Sequence, residues 1–419
     1  MVQEIRIADY DYPLPEDRIA RYPLPERDDS QLLVYTDATG RRPEKRKFTD
    51  LPDFLPENSL MVFNNTKVVP ARLFFRKDTG ALIEIFCLEP ADPQDYQLCF
   101  AANSTCCWKA IIGNAKRWKE GLLHLYIAED QSDASFLREI ALTAELIRRE
   151  GRAAWVRFAW KGAYAFSQVL EHAGRIPIPP YLNRETEAID FERYQTWYAQ
   201  REGSVAAPTA GLHFTGRELE AIDSKGIRRL NLCLHVGAGT FLPVKSETIG
   251  DHAMHSEPFS VSRALLQALA DKGETPLTAV GTTSTRCLES LYYLGVHCIE
   301  RGEPGLVEQW EPYRDGGYTC SLRESMQALL AYMDAAGLPE LVSRTQIIIV
   351  PGYRFRVIDY LVTNFHQPKS TLLLLIGAFV GENWRTIYDF ALSGGFRFLS
   401  YGDSSLLQCQ EKNNQCEQI

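Results

Sequence analysis

Apolar and polar positions change rhythm twice along this chain. Near the start, QLLVY (residues 31–35) reads as a short strand. LPDFLPENSLMVFNNTKVVPARLFFR then passes from a helical turn into a second strand, which the polar group Asn64, Asn65, Thr66 and Lys67 breaks as a turn. From about residue 72 to 158 short apolar-alternating runs follow one another: LIEIFCL, YQLCFAA, LLHLYIA, TAELIRR and AAWVRFAW, with Gly80, Gly113, Gly121 and Gly151 between them. This spacing predicts a small antiparallel barrel or sandwich. Beyond it, strands are expected at residues 230–236, 277–281 and 345–350, with helical stretches at 165–173, 191–200, 262–272, 286–294 and 322–336. Strands that alternate with helices predict a layered α/β/α domain. The expected chain is therefore a main α/β domain, discontinuous in sequence (residues 1–71 and 159–419), with a small all-β, barrel-like domain inserted at 72–158.

Prolines add rigid punctuation. YPLPED (residues 12–17) and YPLPER (22–27) are near-duplicates whose prolines fix extended turns around a short helix near residues 18–21, a surface cap on the plainest reading. RIPIPPYLNR (175–184) reads as a rigid crossing loop.

Composition narrows the class. At 419 residues with 45% hydrophobic side chains, the chain can bury a substantial core. The nearest approach to a membrane span, TLLLLIGAFVG (371–381), falls short of the roughly 18 apolar residues required. The first residues lack the basic-then-apolar pattern of an export signal, so a soluble cytoplasmic protein is expected. Ten scattered cysteines without a C-x-x-C pair read as reduced structural thiols. A formal charge of −9 argues against non-specific coating of nucleic acid and leaves room for a local basic patch.

Candidate chemistry gathers in residues 205–257, which hold four of the eight histidines (His213, His235, His252 and His255) along with Gly211, Gly237 and Gly239. Four loops, HVGAGTF (235–241), VGTTSTR (280–286), VTNFHQPKST (362–371) and SYGD (400–403), are each expected to follow a strand, where open α/β sheets hold ligands. One shared crevice is the expectation. GTTSTR opens a helix, so its amides and hydroxyls suit an anion or ribose, or an ordinary helix cap. HVGAGTF has Leu242 where a dinucleotide fingerprint needs its third glycine, and no zinc-protease, Walker, serine-hydrolase or EF-hand motif is present. His252 and His255, three apart beside Asp251 and Glu257, suit one helical face; hydrogen bonding is the expected use, and no metal is expected.

Taken together, YPLPERDDSQLL, VFNNTKVVPARL, VAAPTAGLHF, HVGAGTFLPV, HAMHSE, VGTTSTRCLES, PGYRFRVIDYLVTNFHQPKSTLLLL and FRFLSYGD closely resemble the S-adenosylmethionine:tRNA ribosyltransferase-isomerase family of queuosine biosynthesis, in family order and over nearly the whole chain. Two departures stand out. Leu82 lies where the family commonly has lysine, and residues 292–344 are longer than the family norm, an insertion that either covers the crevice or decorates the surface.

The resemblance implies that the ribosyl group of S-adenosylmethionine moves onto 7-aminomethyl-7-deazaguanine at the tRNA wobble position, giving epoxyqueuosine, adenine and methionine. The sulfonium acidifies the ribose C5′ hydrogens, a base starts the sequence that expels adenine, the aminomethyl nitrogen attacks, and epoxide closure releases methionine. On that reading His213, His235, His255 and His366 are candidates for proton transfer, and Asp403 attracts the sulfonium or takes a proton. Arg286 holds the methionine carboxylate, and Phe214 or Phe241 stacks on adenine or packs in the core. Thr209, Gly211, Gly237, Gly239, Thr240, Thr282, Thr283 and Ser284 complete the substrate pocket. Asn64, Asn65, Lys67, Arg72, Arg76, Tyr353, Arg354, Arg356, Asn364 and Lys369 form the expected tRNA surface. S-adenosylmethionine is consumed as donor with no further cofactor, and a monomer is expected. The alternatives are an S-adenosylmethionine-dependent RNA methyltransferase and a non-catalytic tRNA-binding protein.

Overall fold

The computed structural model describes residues 2–128, 133–151, 153–235, 244, 246–314 and 317–410. Its larger body is built on a ten-stranded sheet. Four parallel strands form the centre, in the spatial order Arg228–Leu234, Leu60–Asn64, Leu277–Val280 and Tyr360–Asn364. Ser404–Gln408 joins antiparallel to the last of these and carries Gln31–Tyr35 and Glu44–Lys47 beyond it. On the other side Glu257–Ser262 and Glu340–Thr345 add antiparallel strands, and Leu306–Val307 ends the sheet.

Alternate residues of each strand feed two cores. Leu33, Val62, Ala279, Leu361 and Leu407 pack beneath the helices Arg263–Asp271, Thr282–Arg301, Leu322–Ala335, Thr371–Val380 and Asn383–Ser393. Leu32, Met61, Val280, Val362 and Leu406 point the other way, against Leu51, Leu55, Phe214, Leu219 and Ile222. This period of two, buried on both faces, makes the layered α/β/α architecture.

The second body is a closed barrel of six antiparallel strands in the order Ala153–Ala159, Thr105–Gly113, Leu82–Asp92, Arg72–Arg76, Leu122–Leu125 and Thr143–Glu150. Its own core holds Phe75, Trp108, Trp118 and Phe158, closed at one end by Phe166, Val169 and Leu170 of the helix Phe166–Ala173. A two-stranded link, Thr66–Val68 beside Arg201–Ser204, ties the barrel to the sheet. Gly174 fits there because its α-carbon lies so close to Pro70 O that a β-carbon would sit 1.8 Å from it.

The structure corrects several local expectations. YQLCFAA is the helix Tyr96–Ala101, started by Asp95, whose carboxylate accepts from Leu98 N (2.9 Å). The strand Thr105–Gly113, absent from the sequence expectation, fills the vacant barrel position. The helix expected at 191–200 is Ala188–Arg193, with Phe191 and Trp197 exposed. Glu340–Thr345 is the strand in place of 345–350, and Ile347, Ile348 and Ile349 are buried without a ladder. The helix expected from residue 286 begins at Thr282, and the short helix near 18–21 is a 3₁₀ turn over Glu16–Arg18. Within the 292–344 region, Leu322–Ala335 packs on neighbouring helices, and Leu306–Val307 and Glu340–Thr345 widen the sheet, so this region extends the scaffold. Among the described residues no helix is long and apolar enough to cross a membrane.

Candidate active site

The carboxyl ends of the four central strands place His235, Asn65, Gly281 and Phe365 along one edge. Neighbouring strands run the opposite way and bring Asp403, Glu257 and His255 to the same edge. SYGD thus reaches the expected edge although it precedes its strand.

A crevice opens there between Thr209, Thr282, Thr283, Asn364, His366 and Tyr181. The helix Thr282–Arg301 begins in its wall after Gly281 (φ 93°), and no side chain caps its first turn. Those amides carry the positive end of a twenty-residue helix, suited to an electron-rich ligand group. Asn364 sends Nδ2 to Leu399 O (3.2 Å) and to His213 Nε2 (3.2 Å). A carbonyl can only accept, so this bond fixes the amide orientation; His213 Nε2 is then an acceptor and carries its proton on Nδ1. The remaining atom, Asn364 Oδ1, is buried without a partner among the described residues.

Burial settles the charge of three histidines. It pushes His213 down to about 3, helped by Arg397 and Arg27, and His366 down to about 3 by itself. His366 Nε2 lies 3.0 Å from Thr363 Oγ1. His235 stacks on Tyr96 (centroids 3.9 Å apart, planes 9° off parallel); burial lowers it to about 4 against the pull of the Gly203 backbone. All three are neutral at pH 7.

His255 is built differently. Its side chain is 33% exposed, and Nε2 lies 3.0 Å from Oε1 of the buried Glu257, whose second oxygen accepts from Arg286 Nη1. Arg286 Nε donates to Ile347 O (3.0 Å), and Nη2 is buried without a partner among the described residues. His255, Thr283 and Arg286 line an apolar side chamber with Met254, Ile348 and Leu375. His255 also faces a groove of about 750 Å³ between barrel and sheet, walled by Arg72, Phe86, Tyr96, Lys109 and His235. That volume accommodates a nucleoside-sized ligand.

The family model described as queuosine biosynthesis protein matches residues 7–407. The chain belongs to this family. It is 38% identical to the S-adenosylmethionine:tRNA ribosyltransferase-isomerase of Trichlorobacter lovleyi, over 96% of this chain and 99% of that protein. It is 36% identical to the enzyme of the same name from Pelobacter propionicus, with coverage of 96% and 99%. A crystal structure of S-adenosylmethionine tRNA ribosyltransferase from Thermotoga maritima matches at 25% identity with a TM-score of 0.44, covering 95% of this chain and 99% of that one.

In this family member the residues singled out from sequence divide into several groups. Thr209, Thr282, Thr283, Asn364 and His366 line the crevice, and His255 and Arg286 line the chamber behind it. Gly237, Gly239, Thr240 and Phe241 lie outside the described residues. Others are scaffold. Phe214 is fully buried edge-to-face against Phe48 and Phe63, which leaves no face for adenine. Gly211 gives way to the Tyr198 hydroxyl, 1.9 Å from where a β-carbon would lie. Ser284 Oγ donates to Val280 O (2.7 Å), four residues back at the end of the preceding strand. Asp403 clasps Gln31 N (3.0 Å) and Arg397 N (2.7 Å); burial raises its pKa, and those bonds keep it from facing a sulfonium.

The expected tRNA surface does not form one face. Asn64 is buried and clamps both backbone groups of Leu234, and Asn65 is buried beside Gln200. Tyr353 is buried with its hydroxyl on Glu289 (2.9 Å), while Arg354 is exposed and Arg356 lies over the Tyr292 ring (5.0 Å). These three lead into the amino end of Tyr360–Asn364, away from the crevice. Lys369 pairs with Asp11 (2.7 Å) and Lys67 with Glu202 (3.1 Å). Arg72 pairs with Glu84 in the groove wall, and Arg76 covers Tyr126 (4.5 Å) on the barrel. Leu82 is directly across the strand pair from Arg76, so a basic group stands beside the missing lysine. His252 and His255 share no helix, since a 3₁₀ turn ends at Asp251. Sequence reasoning set Glu257 beside His255 and expected hydrogen bonding there without giving Glu257 a role of its own, and it missed Tyr181, which bonds Ser400 Oγ (2.6 Å) in the crevice wall.

Proposed function

We propose that this chain transfers and isomerises the ribosyl part of S-adenosylmethionine onto 7-aminomethyl-7-deazaguanine at the wobble position of tRNA, as a cytoplasmic monomer with no other cofactor. The products are epoxyqueuosine in tRNA, adenine and methionine. The observation that carries this reading is the His255–Glu257–Arg286 relay, which opens on both the side chamber and the large groove.

In this proposal His255 is the general base that removes a C5′ proton acidified by the sulfonium. Glu257 orients its ring as a carboxylate orients a catalytic imidazole elsewhere. The free Nη2 of Arg286 takes the methionine carboxylate. Asn364 Oδ1 accepts from the nucleoside. Burial makes His213 and His366 weak bases, so they fix crevice walls and leave proton removal to His255.

The test is direct. Purified protein, S-adenosylmethionine and an anticodon stem-loop bearing the deazaguanine base are expected to give adenine and methionine in equal amounts. S-adenosylhomocysteine in their place identifies a methyltransferase, and binding without either product identifies a binding protein. His255→Ala is expected to slow adenine release by about 10²- to 10⁴-fold with stem-loop affinity retained; full activity in that variant removes His255 as the base.

A further inference from the structure

The second proline turn, YPLPER, takes no part in the site above, yet it ends in an arginine that crosses under the helix Ala188–Arg193. Arg27 donates to the carbonyls of Gln195 (2.7 Å), Glu192 (2.8 Å) and Leu212 (3.1 Å). Arg193 answers with bonds to Leu24 O (2.7 Å) and Pro25 O (2.8 Å), and Arg397 reaches Tyr22 O (3.4 Å). All three guanidinium groups line one small pocket with Ser30 and His213.

Charge in this pocket does not balance. The acceptors just named are neutral carbonyls. Among the described residues the one carboxylate within ion-pair reach of the three guanidinium groups is Asp403, 3.7 Å from Arg397 Nε and already bonded to Gln31 and to the Arg397 amide. Burial lowers both Arg27 and Arg397 from the ordinary arginine range, the expected result of withdrawing cations from water with too few counter-charges. Two donors are also idle: Ser30 Oγ, on a residue 1% exposed, and Arg193 Nε, both buried without partners among the described residues. Planar guanidinium groups with a spare hydroxyl are the donor set that tetrahedral oxyanions recruit.

We propose that this pocket seats one backbone phosphate of the RNA, adjoining the nucleotide whose base enters the crevice. The two sites share a wall: Ser400 lines both, and His213 in the pocket bonds Asn364 in the crevice. Phosphate contacts of this kind fix register while the base is read elsewhere. The inference rests on the tRNA reading above.

The experiment is a scan of the anticodon stem-loop with single neutral methylphosphonates on either side of the wobble nucleotide, measured by equilibrium binding. With wild-type protein, one position is expected to weaken binding by about tenfold or more while its neighbours change little. In Arg397→Met and in Ser30→Ala the all-phosphate RNA binds more weakly and sensitivity at that position shrinks. Equal tolerance at every position in the wild type overturns the proposal, as does unchanged sensitivity in both variants. Inorganic phosphate supplies the second arm: competition with the stem-loop, lost in Arg397→Met, supports the pocket. Thermal stabilisation by phosphate with no sensitive RNA position makes the occupant a free oxyanion and overturns the RNA assignment. Wild-type adenine release with no sensitive phosphate would fail the pocket alone, and phosphate sensitivity without adenine release would fail the reaction alone.

Discussion

Three histidines buried in neutral form should make this fold unusually sensitive to mild acid. In water an unfolded histidine titrates near 6.5, whereas burial holds His213 and His366 near 3 and His235 near 4. Their folded values are depressed, so the stability they contribute is complete above 6.5 and is lost as pH falls towards 3 to 4, because the unfolded chain takes the proton first. At pH 5, about 1.5 units below the unfolded value, each costs roughly 2 kcal/mol. The three together come to roughly 6 kcal/mol, comparable with the whole stability of an ordinary domain. His297 does not offset this loss. Burial lowers its pKa, but Glu311 and the Pro304 carbonyl raise it further, so its contribution is already complete below 6.5. The assay is the urea midpoint at pH 7.5, 6.5, 5.5 and 5.0, followed separately by probes in the barrel and in the sheet body, since two bodies with separate cores need not unfold together. A steep fall below 6.5 is expected in the sheet body, and His366→Gln should remove about one proton from its slope. A flat midpoint between pH 7 and 5, or a wild-type slope in both His366→Gln and His213→Asn, would refute the reasoning.

Three further outcomes follow from single contacts. Glu289 is fully buried and accepts from Tyr353 Oη, Arg356 N, Val357 N and Ile358 N (2.8–3.1 Å), two donors to each oxygen. Glu289→Gln turns an amide against two of them, at a cost of about 2–4 kcal/mol, and hydrogen exchange at residues 356–358 should accelerate; unchanged protection would show that the carboxylate does not hold this segment. Gly174→Ala places a β-carbon against Pro70 O and Leu170 O, main-chain atoms no rotamer change can move, so a loss of about 3 kcal/mol should appear as a lower melting temperature. Glu257→Gln leaves Arg286 buried without its carboxylate, costing about 3–5 kcal/mol; in the folded fraction, adenine release should fall while stem-loop binding persists.

The fold was legible where one rhythm dominated. Buried parallel strands such as Leu277–Val280 and Leu60–Asn64 are short apolar runs bounded by polar loops, and the barrel strands alternate cleanly, so sheet and barrel both followed from pattern. The failures have local causes. YQLCFAA alternates well enough to pass for a strand, but Asp95 supplies a helix cap that outweighs a period of two over so few residues. Residues 346–350 carry β-branched side chains into the core without a ladder: Tyr313 Oη, from a distant segment, bonds Ile348 O (3.1 Å) and accepts from Val350 N (2.9 Å). Pairing of this kind depends on tertiary contacts that periodicity does not encode.

The site was legible as loops and less so as roles, for a reason that Asn64, Asn364 and Asp403 make plain. Each is a buried polar residue at the same sheet edge, and in sequence each looks equally suited to a ligand. In the structure Asn64 spends both amide ends on Leu234, and Asp403 spends its carboxylate on Gln31 and Arg397, whereas Asn364 keeps one oxygen unbonded at the crevice. The same distinction separates His255, partly exposed beside a carboxylate, from three histidines sealed into walls. It also brings forward Arg27, whose proline turn looked like surface punctuation until its guanidinium was found among two others with too little negative charge nearby. Residue type brings a side chain to the site; what its neighbours leave unsatisfied decides whether it holds the scaffold together or waits for a ligand.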